Sequence, residues 1–192
     1  LQHASESVDH RAVVAARLLA ADAVERARSG HPGTAIALAP VATLLFQKHL
    51  RHDPTRPDWA GRDRFVLSCG HASILLYTQL FLTGYDVTLD DLKEFRTLGS
   101  RTPGHPEYGH TAGVETTTGP LGQGLATAVG MAMGFAHERA TFDADAAQGQ
   151  SPFDRRVWVL ASDGDLQEGL SYEAGALAGR FGLDNLTVIY DD

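Results

Sequence analysis

The sequence predicts an α/β fold built around a parallel β-sheet. A continuous apolar run of strand type, Val157 to Ala161, and a second segment typical of a buried strand, Leu186 to Tyr190, flank a helical segment over Gln167 to Arg180. A strand, a helix and a second strand in this order form a βαβ unit, whose strands are parallel and whose crossover is right-handed. Because ligands of such sheets bind beyond the carboxyl ends of the strands, the residues that follow these runs are candidate site residues.

Two helices are predicted before the first strand candidate. The first covers Val8 to Ser29, where Gly30 can end the helix and large apolar residues recur at helical spacing. These recurring residues are Val13, Leu18, Leu19 and Val24. The second covers Thr34 to Leu50 and is nearly all apolar, which predicts burial on most of its sides. Pro40 must kink this helix or lie near its start, because proline has no N–H to donate.

The rest of the chain alternates between short elements and connections. Arg64 to Leu67 is a strand candidate, and helices are predicted over Ala72 to Leu82, over Thr88 to Leu98 with Thr88 as the cap, and over Leu125 to Glu138. Residues 52–64 and 144–154 are predicted loops. A longer segment, Gly99 to Gly124, has seven glycines, three prolines and no usable periodicity. A connection of this length inside a compact chain is usually functional or disordered.

Composition and charge exclude several classes of protein. Hydrophobic residues make up 43% and charged residues 21% of the 192 residues, which is ordinary globular usage and excludes a disordered tail or a fibrous repeat. The net charge is −8, and residues 97–192 hold 5 Lys/Arg against 13 Asp/Glu. An acidic chain with no basic stripe predicts no nucleic-acid partner.

The same reading predicts a cytoplasmic protein with no membrane partner. The longest apolar stretch, Ala35 to Phe46, is too short to span a bilayer and is interrupted by Pro40. Residues 1–13 lack the basic region and apolar core of a secretory signal. The single cysteine, Cys69, excludes an internal disulfide and a cysteine-rich zinc site, which fits a reducing compartment.

The first candidate site is Asp163-Gly164, directly after a predicted strand. A carboxylate there can hold Mg²⁺, which prefers oxygen ligands and often shares them with a phosphate. Gly164 removes the side chain that would keep a diphosphate from the backbone, and the helix beyond would add amide donors for an anion. The alternative is a plain helix cap, in which Asp163 or Asp165 accepts amide hydrogen bonds.

Histidines that follow glycines form the second candidate. With 20 Gly and 9 His in 192 residues, chance gives about one Gly-His step, and the sequence has four. They are Gly30-His31, Gly70-His71, Gly104-His105 and Gly109-His110. A histidine in a glycine loop can hydrogen-bond a polyol or exchange a proton near neutral pH. Any one of them can be a surface or capping residue, but the excess favours function for the first three and leaves His110 the most dispensable.

Two further features leave alternatives open. The run Gly119-Pro-Leu-Gly-Gln-Gly124 is a weak dinucleotide signal because its glycine order is G-x-x-G-x-G. It could equally present carbonyls and the side chain of Leu121 to a flat ring, or form a tight turn into a helix of small residues. Glu168 and Glu173 are solvated carboxylates by default, although burial would raise the pKa of either and suit it to a proton relay.

Several sequence blocks in order resemble the transketolase family, which uses thiamine diphosphate. The blocks are SGHPGTA at 29–35, DRFVLSCGHAS at 63–73, TPGHPEYGHTAGVETTTGPLGQG at 102–124, SDGDLQEGLSYEAGALAG at 162–179 and then IYDD. The resemblance runs nearly end to end. It implies a thiamine-diphosphate-binding fold, an α/β domain whose parallel sheet carries helices on both faces. It also implies thiamine diphosphate with Mg²⁺ (or Ca²⁺) as cofactors.

The resemblance also implies roles for individual residues. Asp163 is similar to the metal-ligand aspartate of the family's Gly-Asp-Gly motif, and Gly164 to its diphosphate-contacting neighbour. Gly119 and Leu121 are similar to the residues that contact the cofactor's aminopyrimidine and thiazolium rings. The remaining residues carried over are the active-site histidines His31, His71 and His105 and the interface glutamates Glu168 and Glu173. Among these, His71 is expected nearest the diphosphate, His31 and His105 near sugar hydroxyls, and Glu168 in a proton relay between subunits.

Two departures from the family pattern bear on function. Ser162 replaces the first glycine of the motif, and serine is small enough to preserve the geometry. The sequence reaches Asp192, where the family continues with an asparagine that supplies a second metal ligand. We therefore expect residues 1–192 to be the N-terminal part of a diphosphate-binding domain, without the pyrimidine-binding and C-terminal domains, and to be inactive alone. The chain can be a fragment, a segment with a disordered continuation, or one half of a split enzyme.

The resemblance implies a reversible transfer of a two-carbon ketol unit from a ketose phosphate to an aldose phosphate, as in the pentose phosphate pathway. The implied partners are sugar phosphates and the second subunit of a homodimer, or a complementary split subunit. Two alternatives remain open. One is a non-catalytic assembly partner that binds no cofactor, and the other is a related ketol transferase with a different substrate.

Overall fold

The structure, a computed structural model, describes residues 7–192. The prediction about a secretory signal concerns residues 1–13, which lie partly outside the described residues. Along the chain the helices and strands are α1 Val8–Ala27, α2 Pro32–Ala37, α3 Ala39–Leu44, β1 Arg64–Leu67, α4 Ser73–Thr83, α5 Leu89–Lys93, α6 Gln123–Phe142, β2 Val157–Ser162, α7 Asp163–Gln167, α8 Gly169–Phe181 and β3 Leu186–Asp191. A π-helical turn, Leu45–His49, follows α3, and a 3-10 turn, Gly70–Ala72, precedes α4.

The three strands form one parallel sheet in the order β1-β2-β3. In its register Leu67 pairs with Leu160, and Ser162 pairs with Asp191. The predicted α/β class and the parallel βαβ unit are therefore confirmed. The predicted burial of the second strand is wrong, because among residues 7–192 β3 pairs only with β2, and its residues Val188 and Tyr190 are exposed. The observed bounds of β1 are the predicted ones, and β2 and β3 each extend one residue beyond their predicted ends.

Helices cover both faces of the sheet because alternate strand side chains point to opposite sides. Phe65, Leu67 and Leu160 join a core with residues of α1 to α4. Val66 and the other alternate strand residues join a second core with small residues of α6, such as Ala128. The two-faced arrangement implied by the family resemblance is confirmed.

The first helix faces the core with smaller residues than the sequence pattern suggests. Ala16, Ala20 and Ala23 are its buried residues, whereas Leu18 is 59% exposed. Small side chains let the helix axes approach closely, because packed interiors leave no space unfilled. The helix itself ends at Ala27, since Arg28 adopts the left-handed conformation that terminates it.

Two predicted single helices are each broken in two. The segment predicted as one helix from Thr34 to Leu50 divides at Leu38, because Pro40 has no N–H for the carbonyl of Ile36. The side chain of Arg17 donates to that carbonyl instead, at 3.0 Å. The expected burial on most sides also fails, since Leu44 is 53% exposed. The helix predicted over Gln167 to Arg180 is divided between α7 and α8.

The break between α7 and α8 lies at Glu168, whose backbone is extended (φ −71°, ψ 134°). The predicted helices that became α4 and α6 and the three loops are confirmed, and Thr88 caps α5 as expected. The predicted extent of α5 to Leu98 is wrong, because the helix ends at Lys93 and Arg96 has a positive φ. No helix among residues 7–192 has the length and hydropathy needed to cross a bilayer.

Candidate functional site

Three strand ends and one glycine-rich loop meet at a single edge of the sheet, here called the carboxyl edge. β1 leads there into Ser68 and the turn that carries His71, while β2 leads into Asp163. The loop before α6 is fixed to this edge by Thr118, whose hydroxyl donates to the carbonyl of Leu67 at 2.8 Å. The position agrees with the expectation that ligands of parallel sheets bind beyond the carboxyl ends of the strands.

Glycine at position 70 allows the β1 turn to contact the glycine-rich loop. A Cβ atom on Gly70 would lie 2.6 Å from Oγ1 of Thr118 and 2.9 Å from the backbone nitrogen of Gly119. Real Cβ atoms do not approach backbone atoms so closely, so any side chain would push the two segments apart. This glycine was identified from sequence only as the residue before a histidine.

The structure gathers the three histidines that the sequence singled out. The rings of His31 and His71 meet edge to face with their centroids 4.9 Å apart. His105 lies beside the glycine-rich loop, since a Cβ on Gly119 would be 3.4 Å from its ring. The fourth candidate, His110, hydrogen-bonds a loop carbonyl at 2.8 Å, in keeping with a structural role.

Burial and neighbouring charges lower the pKa values of two of these histidines, His71 and His105. The pKa of His71 is lowered, first by burial and then by the nearby His31, with a smaller contribution from His105. The pKa of His105 is lowered by burial, then by the charge of Arg96 and by His31. A neutral imidazole offers one hydrogen-bond donor and one acceptor, which suits contact with hydroxyl groups.

Arg96 connects the histidine loops and was not found by sequence reasoning. Its Nη1 donates to the hydroxyl of Ser29 at 2.7 Å, two residues before His31. Its guanidinium also lies against Gly104, where a Cβ would be 2.6 Å from Nε of the arginine. Its φ of +63° is unusual for a residue with a side chain. A lone arginine in an irregular loop gives no sequence signal for this bridging position.

The residues predicted to contact the cofactor lie together at the carboxyl edge. A Cβ on Gly164 would be 3.0 Å from Cδ1 of Leu121, so the side chain of Leu121 packs against the backbone of Gly164. Glu168 lies beside Gly122, since a Cβ atom placed on Gly122 would be 2.9 Å from the Cβ of Glu168. Glu173 lies further along α8 and is exposed.

The helix-cap alternative proves correct for Ser162 and Asp165, and leaves Asp163 exposed. Ser162 caps α7 in a capping box with Asp165. The carboxylate of Asp163 accepts from the amide of Gly164 at 2.7 Å and otherwise faces solvent. The amides at the start of α7 were expected to be free to donate to an anion. Those of Gly164 and Asp165 instead already donate to Asp163 and Ser162.

Asp165 is a further site residue that sequence reasoning considered only as a cap. It is fully buried, and its carboxylate accepts from the hydroxyl of Ser68 at 2.7 Å and the amide of Gly122 at 2.8 Å. Ser68 in turn accepts from the amide of Leu125 at 3.0 Å. The capping spacing from Ser162 was a signal for the cap, but no pattern along the chain links Asp165 to the other two segments.

Oxygen donors with negative charge dominate the end of β2 and β3. The pKa of the Tyr190 phenol is raised, first because it donates to Asp192 and then by burial and the charges of Asp192, Asp163 and Asp191. Within residues 7–192 no three His, Cys, Asp or Glu side chains gather as a complete metal site. This donor set fits Mg²⁺, which takes few protein carboxylates and completes its shell with water and phosphate oxygens.

An open cavity of about 610 Å³ adjoins this edge, lined by His105, Glu107, Tyr108, Thr117 and Gly119 among others. Its position between a histidine loop and the glycine-rich loop fits the entry of a ring system. The absence of a side chain at Gly119 keeps the wall beside His105 open. The residues present are thus compatible with thiamine diphosphate and a divalent cation.

Comparisons with known proteins agree on one family. The family model described as the thiamine diphosphate binding domain of transketolase matches residues 8–192. A transketolase of Mycobacterium tuberculosis is 58% identical over 184 residues, which are 96% of this chain and 26% of that protein. This chain spans about a quarter of the length of the curated relatives it matches.

Solved structures give the same result. The transketolase of Leishmania mexicana superposes with a TM-score of 0.91 at 48% identity, covering 96% of this chain and 27% of that one. A transketolase of Pichia stipitis in complex with sedoheptulose-7-phosphate has a TM-score of 0.90 at 50% identity, covering 97% and 27%. At these identities the likeness extends beyond the general fold.

Proposed function

The chain belongs to the transketolase family, and from that premise we propose that it is the N-terminal part of the diphosphate-binding domain of an active transketolase. The protein that carries it would transfer a two-carbon ketol unit reversibly from a ketose phosphate to an aldose phosphate. The observation that carries this proposal is the contact between Gly164 and Leu121 at the carboxyl edge, beside the loops that carry His31, His71 and His105. The sugar phosphate bound by the Pichia stipitis relative supports the substrate class.

The cofactor-binding residues in this proposal are Gly119, Leu121, Gly164, His71 and Asp163. Gly119 and Leu121 would set the orientation of the rings, and Gly164 would let the diphosphate approach the backbone. When bound, thiamine diphosphate supplies the electron sink that allows a carbon–carbon bond beside a ketose carbonyl to break. The protein contributes position and electrostatics, which here come from side chains on rigid strand ends.

Electrostatics require a cation between the protein and the diphosphate. Asp163, Asp191 and Asp192 place negative charge at the end of β2 and β3, where an unscreened diphosphate would be repelled. An Mg²⁺ or Ca²⁺ ion held by Asp163 would reverse that repulsion. Because Asp163 is exposed and accepts only from a neighbouring amide among its described contacts, its carboxylate is accessible to such an ion.

The histidines would act on the sugar and on protons. We assign His71 to the diphosphate side and His31 and His105 to the sugar hydroxyls. The pKa values of His71 and His105 are lowered, which favours the neutral ring as a hydrogen-bonding group. Glu168, beside Gly122, would carry protons between subunits of a homodimer, with Glu173 at the same interface. Cytoplasm is the compartment we propose, in agreement with sugar phosphate substrates.

Calorimetric titration of the full-length protein with thiamine diphosphate and Mg²⁺ tests this proposal. We expect heat of binding for the wild type and loss of Mg²⁺-dependent binding for Asp163→Ala, with unchanged thermal stability because the side chain is exposed. Asp184→Ala is the matched control, an exposed aspartate on the connection before β3, and should bind as the wild type does. Unchanged affinity in Asp163→Ala would remove that residue from the metal site.

An activity measurement separates the remaining alternatives. Ketol transfer from a ketose phosphate to an aldose phosphate is expected from the full-length protein with cofactor, and none from residues 1–192 alone. Absence of any heat with the full-length protein would favour the non-catalytic assembly partner. Heat without ketol transfer between phosphorylated sugars would favour a related ketol transferase with a different substrate.

A further inference from the structure

Two helices of this chain begin with the same capping motif, which allows a direct comparison. At α5, Oδ2 of Asp91 accepts from the amide and hydroxyl of Thr88 at 2.7 and 2.6 Å. At α7, Oδ2 of Asp165 accepts from the amide and hydroxyl of Ser162 at 3.0 and 3.2 Å. Each capping box therefore uses only one oxygen of its aspartate, which is Oδ2 in both helices.

The second oxygen of Asp165 contributes nothing to the cap. Oδ1 accepts from the hydroxyl of Ser68, after β1, and from the amide of Gly122, before α6. These partners are 97 and 43 residues away in the chain. The four donors to this carboxylate are neutral hydroxyls and amides. A buried carboxylate is costly unless hydrogen bonds satisfy it, so this geometry holds all three segments in one arrangement.

The residue held most directly is Gly122, which ends the glycine-rich loop. It has a φ of +80° and lies against Glu168 and Ser171, so its place is defined on two sides. Its neighbour Leu121 contacts Gly164. Displacing the Gly122 amide would therefore move the wall of the site that Leu121 provides.

We infer that Asp165 is a positioning residue, which through Ser68 and Gly122 fixes the glycine-rich loop and so sets where the rings of the cofactor bind. The inference rests on the proposed function, since it concerns the site for thiamine diphosphate. The diphosphate end is held separately, by Asp163 and Gly164. Loss of the Oδ1 hydrogen bonds is expected to weaken binding of the rings more than binding of the diphosphate.

The test uses three variants of the full-length protein. Ser68→Ala removes one Oδ1 partner and leaves the cap of α7 intact, and Asp165→Asn disturbs both oxygens. Asp91→Asn disturbs the cap of α5, where the carboxylate hydrogen-bonds Thr88 and no residue of the glycine-rich loop. Each is titrated with thiamine diphosphate and, separately, with inorganic pyrophosphate, both in the presence of Mg²⁺. Thermal unfolding without cofactor is measured in parallel.

For Ser68→Ala we expect the Kd for thiamine diphosphate to rise about five- to tenfold, the factor that corresponds to the loss of one ordinary hydrogen bond. The Kd for pyrophosphate should stay within about twofold of the wild type, since Asp163 and Gly164 are untouched. Asp165→Asn should weaken thiamine diphosphate binding further. Asp91→Asn should lower the unfolding temperature and leave both Kd values unchanged.

Three results would overturn the inference. They are an unchanged Kd for thiamine diphosphate in Ser68→Ala, an equal loss for both ligands in that variant, and an effect of Asp91→Asn on cofactor binding as large as that of Asp165→Asn. If Asp165→Asn fails to fold, the Ser68→Ala comparison still decides. Failure of the proposed function is a distinct outcome, because then the wild type itself would not bind thiamine diphosphate.

Discussion

The two edges of the sheet use charge in opposite ways. At the amino edge, where the strands begin, charged side chains pair with one another. Glu115 is 9% exposed and lies 2.8 Å from Nη2 of Arg62 and 3.3 Å from Nε of Arg64. At the carboxyl edge, the carboxylate of Asp163 is exposed and His71 is neutral. Paired charge stabilises a fold, whereas unpaired donors and acceptors are available to a ligand, so function is expected at the carboxyl edge.

The pKa values express the same contrast. Burial raises the pKa of Glu115, while the hydrogen bond from Arg62 and the charges of both arginines oppose that rise. The carboxylate therefore depends on its arginine partners to remain charged inside the protein. The pKa of His71 is lowered by burial and by His31, and the charges of Asp165 and Asp191 oppose this without reversing it.

The largest effect on stability is expected at the amino edge. Glu115→Ala would leave two largely buried arginines without their partner and should destabilise the fold by about 3 kcal/mol. Urea denaturation of the full-length protein measures this. Asp86→Ala removes an exposed partner of Arg101 and should cost less than about 1 kcal/mol. Equal losses in the two variants would contradict the distinction between buried and exposed pairs.

Crowding at the carboxyl edge is tested by two glycines of the same helix. A Cβ on Gly124 would lie 2.6 Å from Cα of Ser68, so Gly124→Ala should destabilise the fold by about 1–3 kcal/mol and weaken cofactor binding. A Cβ on Gly134, which also lies on α6, would have no atom within 4 Å, so Gly134→Ala should stabilise the fold by about 0.5–1 kcal/mol. Thermal unfolding distinguishes them, and stabilisation by Gly124→Ala would show that the close approach to Ser68 is not required.

The lowered pKa of His71 predicts that the stability of the fold depends on pH. Because the pKa of His71 is below its ordinary value of 6.5 in the folded state, the unfolded chain binds more protons at mildly acidic pH. Stability is therefore complete above about pH 6.5 and falls as the pH drops below that value. His71→Gln should flatten this dependence in denaturation curves recorded between about pH 5 and 7.5. The exposed His137→Gln is the control, and equal flattening there would refute the assignment.

The smallest effect concerns the charge of Arg96. It contributes, after burial, to the lowered pKa of His105, so Arg96→Gln should raise that pKa. An NMR titration of the His105 ring measures the change. Arg101→Gln, which removes a charge paired with Asp86, should leave the His105 titration as it is in the wild type. If the pKa of His105 rises in Arg101→Gln but not in Arg96→Gln, Arg96 does not act on this histidine.

Sequence reasoning succeeded where the determining interactions are local. The strands were predicted from continuous apolar runs, α5 from its cap at Thr88, and the long connection from its glycines and prolines. It failed where a distant partner decides. The break in the helix over 34–50 was predicted from Pro40, but the partner of the carbonyl that Pro40 leaves free, Arg17 from another helix, was not. Leu18 is exposed because the buried face of α1 consists of alanines, which allow the neighbouring helices to pack closely.

The candidate site divides in the same way. Glycine–histidine steps and the aspartate after β2 were visible along the chain, because each is a local pattern of residue types. Arg96 and the shared hydrogen bonds of Asp165 were not visible, since each joins segments that are far apart in sequence. The family resemblance supplied roles for single residues but not the connections between them.

The sequence by itself determined the alternation of strands and helices, the places where glycine permits a turn, and the supply of imidazole and carboxylate groups. These follow from backbone conformation and the burial of apolar side chains, which act between near neighbours in the chain. Only the tertiary structure decided that His31 meets His71 and that one buried carboxylate binds Ser68 and Gly122 together. Such contacts depend on how the sheet brings its strand ends to one edge, and no periodicity along the chain encodes that distance.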